Sequence, residues 1–205
     1  MPLRFIFMIE KNSMFAQVKD YIQKRISITD EDLEKSFQYA KLRFYKKGDY
    51  ILRTGEYCRF IAFLNSGIIV STIIKDDGKE IASNFTPENC FFTYTEGIIG
   101  NLPSHKNFIA LEDCEMLVLE KEKLPLIFSL NPKFETLLSH ILAEGLKNVL
   151  TIEQDNRTLS AENRYLKFIE SYPNAFNRIP LKYIAGYLGI EPPSLSRLRK
   201  RLSVK

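Results

Sequence analysis

The sequence predicts an α+β chain in three parts: an N-terminal β-sandwich of the jelly-roll kind, a long helix, and a C-terminal helix-turn-helix. Three observations predict it. Short strand-like runs punctuated by glycine fill residues 42–119. A wide apolar stripe at helical spacing follows between Pro132 and Arg157. Two short amphipathic segments then flank Gly189, and the second of them is basic.

Taken in order, residues 14–39 read as helical. Phe15, Val18, Tyr21 and Ile22 keep helical spacing, and Thr29 precedes Asp30, Glu31 and Asp32 as an N-cap. A side-chain oxygen there satisfies an orphan backbone N–H, and acids in the first turn face the positive end of the helix dipole. Because the helical pattern begins only there, Met14 is read as the true start, with residues 1–13 an upstream extension. The opening apolar run, Leu3 to Ile9, is too short for a secretory signal.

From Leu42 the period changes. Leu42 to Glu56 alternates and turns at Gly48 and Gly55, and Arg59 to Ile74 reads as two strands around Ser66-Gly67. Asp76-Asp77-Gly78-Lys79 is a hairpin turn leading into Glu80–Phe85. Asn107–Leu111 and Glu115–Leu119 are expected to pair with each other around Glu112-Asp113-Cys114. Strands this short, with turns at this spacing, suggest a sandwich.

Helical character returns near Leu124. Phe134, Leu137, Leu138, Ile141, Leu142, Leu146, Val149, Leu150 and Ile152 form the stripe of a helix of about 25 residues, some 37 Å long. Such a stripe either packs on its own domain or forms a seam with a second copy, and the breadth here favours both at once. Ser160 caps the next helix, whose apolar face is Tyr165, Leu166, Phe168 and Ile169, and Pro173 ends it. Leu181, Ile184, Ala185 and Leu188 line one short helix. Gly189 permits the turn, and Pro192-Pro193 fit the first turn of a second helix, whose buried stripe is Leu195, Leu198 and Leu202.

Charge singles out that last segment. Residues 160–205 hold nine Lys/Arg against three Asp/Glu, a balance of +6, whereas the whole chain carries +4. A near-neutral body with a basic end is the footprint of a nucleic-acid module. The remaining composition excludes other classes. No apolar run approaches 18 residues, so no membrane partner is expected. Three Cys at positions 58, 90 and 114 give neither a metal motif nor a disulfide framework, and fit buried or half-buried thiols in a reducing cytoplasm. Two His, with no HxH, GxSxG or P-loop pattern, provide no metal site and no catalytic constellation, so neither a cofactor nor an enzyme is expected.

Lys47-Gly48-Asp49-Tyr50-Ile51-Leu52-Arg53-Thr54-Gly55-Glu56, Phe63-Leu64-Asn65-Ser66-Gly67, Asp77-Gly78-Lys79-Glu80 and Leu188-Gly189-Ile190 with Leu195-Ser196-Arg197 together resemble the Crp/Fnr (cyclic-AMP receptor protein-like) family of bacterial transcription regulators. The resemblance covers roughly residues 40–202. It implies a cyclic-nucleotide-binding-like sensor domain with N-terminal helices over 14–130, a dimerisation helix over 131–158 and a DNA-binding domain over 159–205. It further implies a cytoplasmic homodimer acting on double-stranded DNA and RNA polymerase. The alternative is a ligand-binding sensor module that acts through protein partners, with a vestigial helix-turn-helix.

Departures from the family sharpen the expected sites. Cyclic-nucleotide binders of the family carry a Gly-Glu pair for the ribose and an Arg-Ser pair for the phosphate. Here the matching stretches read Asn89-Cys90-Phe91-Phe92-Thr93-Tyr94 and Pro103-Ser104-His105-Lys106-Asn107. A cyclic phosphate buried without its paired cation loses water and gains nothing. The expected pocket, around Phe91, Phe92, Thr93, Ser104, His105 and Lys106, therefore holds an effector other than cyclic AMP, or none. In the second helix the family's base-reading positions fall on Pro192, Pro193 and Arg197, so only Arg197 carries over. Ser194 and Ser196 can reach bases or phosphates, while Arg199, Lys200, Arg201 and Lys182 suit phosphate anchoring.

Overall fold

The computed structural model describes residues 15–203, so the reading of Met14 as the start lies outside the described residues. Helix α1 runs to residue 23, and α2 (Asp30–Phe37) follows with Thr29 as N-cap, its Oγ1 accepting from Asp32 N at 3.2 Å. Eight strands come next: β1 (Lys41–Tyr45), β2 (Tyr50–Leu52), β3 (Phe60–Ser66), β4 (Ile69–Ile74), β5 (Glu80–Thr86), β6 (Cys90–Phe92), β7 (Asn107–Ala110) and β8 (Cys114–Glu120). Helix α3 (Thr95–Gly100) interrupts them between β6 and β7. Helices α4 (Leu124–Leu130), α5 (Lys133–Thr158), α6 (Ala161–Ser171), α7 (Leu181–Tyr187) and α8 (Pro192–Ser203) complete the described chain.

The strands form two antiparallel four-stranded sheets, ordered β1-β8-β3-β6 and β2-β7-β4-β5. The expected pairing of Asn107–Leu111 with Glu115–Leu119 is therefore wrong: β7 pairs with β2 and β4, and β8 with β1 and β3. Residues 111–113 carry the chain from one sheet to the other instead of closing a hairpin. The link from β3 to β4 at Gly67 makes the same crossing beside it, since a Cβ on Gly67 would lie 2.8 Å from Asp113 O and 2.6 Å from Cys114 Sγ. Gly67 has φ +101°, which side-chain-bearing residues rarely adopt. Two crossovers thus stack at one corner, and glycine supplies both the dihedral and the space.

Both outer faces of the sandwich are covered. Ala62, Leu64, Ile69, Phe108, Ala110, Met116 and Val118 fill the space between the sheets. Phe63 and Leu117, on the far side of the first sheet, pack with Val18, Ile22, Leu33, Ile127, Phe134 and Leu137 from α1, α2, α4 and the start of α5. Ile68, Val70, Ala82, Phe85, Ile109 and Leu111, on the far side of the second sheet, share one core with Tyr165, Phe168, Tyr172, Ile184, Leu188 and Leu195 from the C-terminal helices. Two covered faces explain why residues 60–64, 68–70 and 108–111 read as unbroken apolar runs and not as alternating ones. An ionic contact closes the edge of the second interface. Arg178 Nη1 donates to Glu88 Oε1 at 2.7 Å, and its Nη2 bonds Glu112, which holds the guanidinium firmly in its charged form.

Acid should loosen this structure first at its carboxylates. The bonds from Lys19 to Asp30, from Asn131 to Asp32, from Lys46 to Asp113 and from Lys41 to Glu120 lower each carboxyl below its ordinary value. A group with a lowered folded pKa stabilises fully above its unfolded value, about 4 here, and loses that contribution as pH falls. Denaturant midpoints should therefore be flat at neutral pH and decline below about pH 4. A midpoint rising as pH drops through that range would contradict these pairings.

Candidate nucleic-acid interface and effector cleft

The C-terminal helical pair is built by local chemistry. Helix α7 ends in a Schellman turn: Gly189 N donates to Gly186 O at 3.1 Å and Ile190 N to Ala185 O at 3.0 Å, with Gly189 at φ +66°. Helix α8 then starts at Pro192, where no backbone N–H is needed. Leu195 and Leu198 are buried beneath it, with Leu202 against the same cluster. The opposite face is open: Ser196, Arg197, Lys200 and Arg201 are exposed, and Ser194 and Arg199 are half-buried. Arg197 Nη2 lies 3.3 Å from Ser194 Oγ, and Arg201 pairs with Glu162 on α6 at 2.5 Å. Lys182 is exposed on α7, 4.7 Å above the Tyr183 ring. The structure thus gathers Ser194, Ser196, Arg197, Lys200 and Arg201 on one helix and leaves Lys182 on its neighbour.

A cleft of about 1430 Å³ opens where α1, the edge of the second sheet, β6, α5 and the C-terminal helices converge. Of the expected pocket residues it is lined by Phe91, Phe92, Thr93 and Lys106, but by neither Ser104 nor His105. Ser104 is buried and closes its own turn: Oγ donates to Lys106 O at 2.7 Å and accepts from Lys106 N at 3.1 Å. His105 is exposed, with Nδ1 2.7 Å from Tyr94 Oη and 3.2 Å from Glu96 Oε2. Tyr94 Oη also donates to Glu96, and burial followed by that bond pushes its phenol up to about 12. Cys90, on the same wall, has its thiol raised by burial, which keeps it protonated and unreactive at neutral pH. Among the described residues, no group of three or more His, Cys, Asp or Glu could hold a metal.

The far wall of the cleft escaped the sequence reading. It is formed by Arg164, Tyr172 and Tyr187 of the C-terminal helices. Arg164 Nη1 donates to Leu159 O at 2.6 Å and Nη2 to Leu188 O at 2.8 Å, tying the end of α5 to the end of α7. Phe85, Phe168, Tyr172 and Tyr187 contact one another ring to ring at 5.1–6.5 Å between centroids. Aromatic density between residues 165 and 187 was the one available signal, and it reads equally well as ordinary core.

Two crossed-over sheets with a short helix between β6 and β7, closed by a long helix, decide the comparison. Residues 42–129 match the cyclic nucleotide-binding domain family. Much of the fold is shared with solved structures of regulators. The c-di-GMP responsive global regulator CLP of Xanthomonas campestris is 17% identical with a TM-score of 0.66, covering 86% of this chain and 92% of its own. FixK2 of Bradyrhizobium japonicum is 17% identical with a TM-score of 0.71, covering 80% and 85%. A putative transcriptional regulator of the Crp/Fnr family from Eubacterium rectale is 16% identical with a TM-score of 0.66, covering 86% and 84%. At these identities the shared property is the fold alone, and the family match is to the cyclic nucleotide-binding domain over residues 42–129. Nothing among curated proteins matches the sequence. No described helix is long and apolar enough to cross a membrane.

Proposed function

We propose that this chain is a homodimeric, sequence-specific DNA-binding transcription regulator of the Crp/Fnr type, with residues 159–205 as the DNA-binding domain. The observation that carries the reading is the open basic face of α8. Its leucines are turned into the core while Ser196, Arg197 and Lys200 are exposed. A helix with a free polar face and a preceding helix at its back is the arrangement that enters a major groove. Dimerisation is supported by α5, whose first half buries Phe134 and Leu137 while Leu146, Val149 and Leu150 stay 48–58% exposed in a single chain. An apolar seam of that kind fits a second α5, which would pair two recognition helices for two half-sites. RNA polymerase is the expected protein partner of such a dimer.

The cleft supports an effector other than cyclic AMP. Ser104, in the stretch that matches the family's phosphate-binding Arg-Ser pair, spends its hydroxyl on the backbone of its own turn. Lys106 lines the cleft, but as a point charge it lacks the fork that grips a phosphate bidentately.

A gel-shift or anisotropy titration against fragments of the source genome tests the reading. Arg197→Ala should weaken specific binding by about 1–3 kcal/mol and relax preference at one base pair. Lys200→Ala should weaken all sequences alike and lower the salt slope by about one unit. Binding that is absent, or indifferent to salt, would favour the alternative of a sensor acting through protein partners.

A further inference from the structure

We propose that the side-chain amide of Asn84 passes occupancy of the cleft to the C-terminal helices. The proposal rests on the reading of the cleft as an effector site. Asn84 sits on β5, the edge strand of the second sheet. Its Oδ1 accepts from Tyr172 Oη at 3.1 Å and from Asn148 Nδ2 at 3.4 Å. One oxygen therefore joins the sheet to α5 and to the residue that ends α6. All three residues line the cleft.

The neighbours of Asn84 divide the strand between two tasks. Ser83 faces Ser71 along the cleft wall, with the hydroxyls 3.0 Å apart. Phe85 turns to the aromatic cluster beneath the C-terminal helices. The Tyr172 hydroxyl reaches Phe85 O at 3.4 Å and is hydrogen-bonded to Tyr187, which extends the chain of contacts onto α7. Burial raises the Tyr172 phenol well above its ordinary value, so it stays a donor throughout the working pH range. A carbonyl oxygen has two lone pairs, and here both are taken. A ligand that brings its own donor to Asn84 must displace Asn148 or Tyr172. It thereby detaches either the long helix or the helical pair from the sheet.

Hydrogen exchange reads this directly. Tyr172→Phe keeps the ring and removes the hydroxyl, and with it the bonds to Asn84, Phe85 O and Tyr187. Amides of α6–α8 should then exchange about threefold to tenfold faster, the equivalent of one net hydrogen bond, while those of β3 and β8 stay unchanged. Gly145→Trp supplies an occupant from within the chain. Gly145 lies one turn before Asn148 on the same face of α5 and lines the cleft, and a Cβ there meets only Thr95 Oγ1, at 3.8 Å. Removing a helix-interior glycine does not harm the helix. The indole should speed exchange of α6–α8 in the otherwise native chain and add nothing to the Tyr172→Phe chain. The proposal is overturned by unchanged α6–α8 exchange in either single variant, by a rise that extends to β3 and β8, or by an indole effect that survives loss of the hydroxyl. Neither variant is read through DNA, so failure here leaves the DNA-binding reading standing, and failure of DNA binding leaves this one testable.

Discussion

Phe168→Ala should lower the stability of the whole chain by about 3–5 kcal/mol, in one transition that unfolds the sandwich and the C-terminal helices together. Phe168 is 2% exposed and packs edge-on or tilted against Phe85 of β5 and Tyr172 and Tyr187 of the helices. The cavity left by its ring opens in a core that belongs to both parts, with Val70 and Ile109 on one side and Ile184 and Leu188 on the other. Neither side can collapse into the space without pulling on the other. Urea unfolding followed by far-ultraviolet circular dichroism and by near-ultraviolet tyrosine signals checks this, since the chain holds 10 Tyr and no Trp. Coincident transitions at a lowered midpoint are expected. Early loss of helix from an intact sandwich would mean that the two parts melt separately.

Gly67→Ala should be the second most damaging change, far more so than Gly78→Ala. Both positions have positive φ, +101° and +78°, so each substitution carries backbone strain of about 1–3 kcal/mol. At Gly78 the new methyl meets open space. At Gly67 it drives into Asp113 O and Cys114 Sγ, adding about 1–3 kcal/mol of crowding. The neighbours cannot easily yield. Cys114 begins β8, whose pairing with β1 starts at Tyr45, and Leu111 N is bonded to Ile68 O at 2.8 Å across the same corner. Thermal unfolding of the two variants side by side measures the difference. Equal losses would show that the corner relaxes freely.

These two positions also mark how far the sequence could be read. Thr29, Ser160 and Gly189 announced their caps because capping depends on a few consecutive residues, and each lies where expected. The long helix was legible from its stripe, and the basic face of α8 from charge and spacing. Which strand pairs with which was not. Residues 111–113 look like a hairpin turn and act as a crossover, since nothing local distinguishes the two. The docking of the helices on the second sheet was half-visible: Ile68-Ile69-Val70 and Phe108-Ile109-Ala110-Leu111 leave no polar face for water, which is how a strand covered on both sides reads. The site divides in the same way. Arg197 and Lys200 are recognisable by type, whereas the bond between Asn84 and Tyr172 spans 88 residues of chain and has no local signal.

Covering both faces of the sandwich has a consequence for how the protein keeps apart from its own copies. The unpaired backbone of the sheets lies along their edges, at β1 and β6 and at β2 and β5. Unpaired edges invite strand addition and, in a crowded solution, aggregation. Each edge here is guarded in its own way. Strands β2 and β6 are only three residues long, too short to template a partner. Strand β1 places the charges of Lys41 and Arg43 in the open, and β5 begins at a charged hairpin and lies beneath α7. The helices that carry the basic face of α8 also shield its sheets from pairing with other chains.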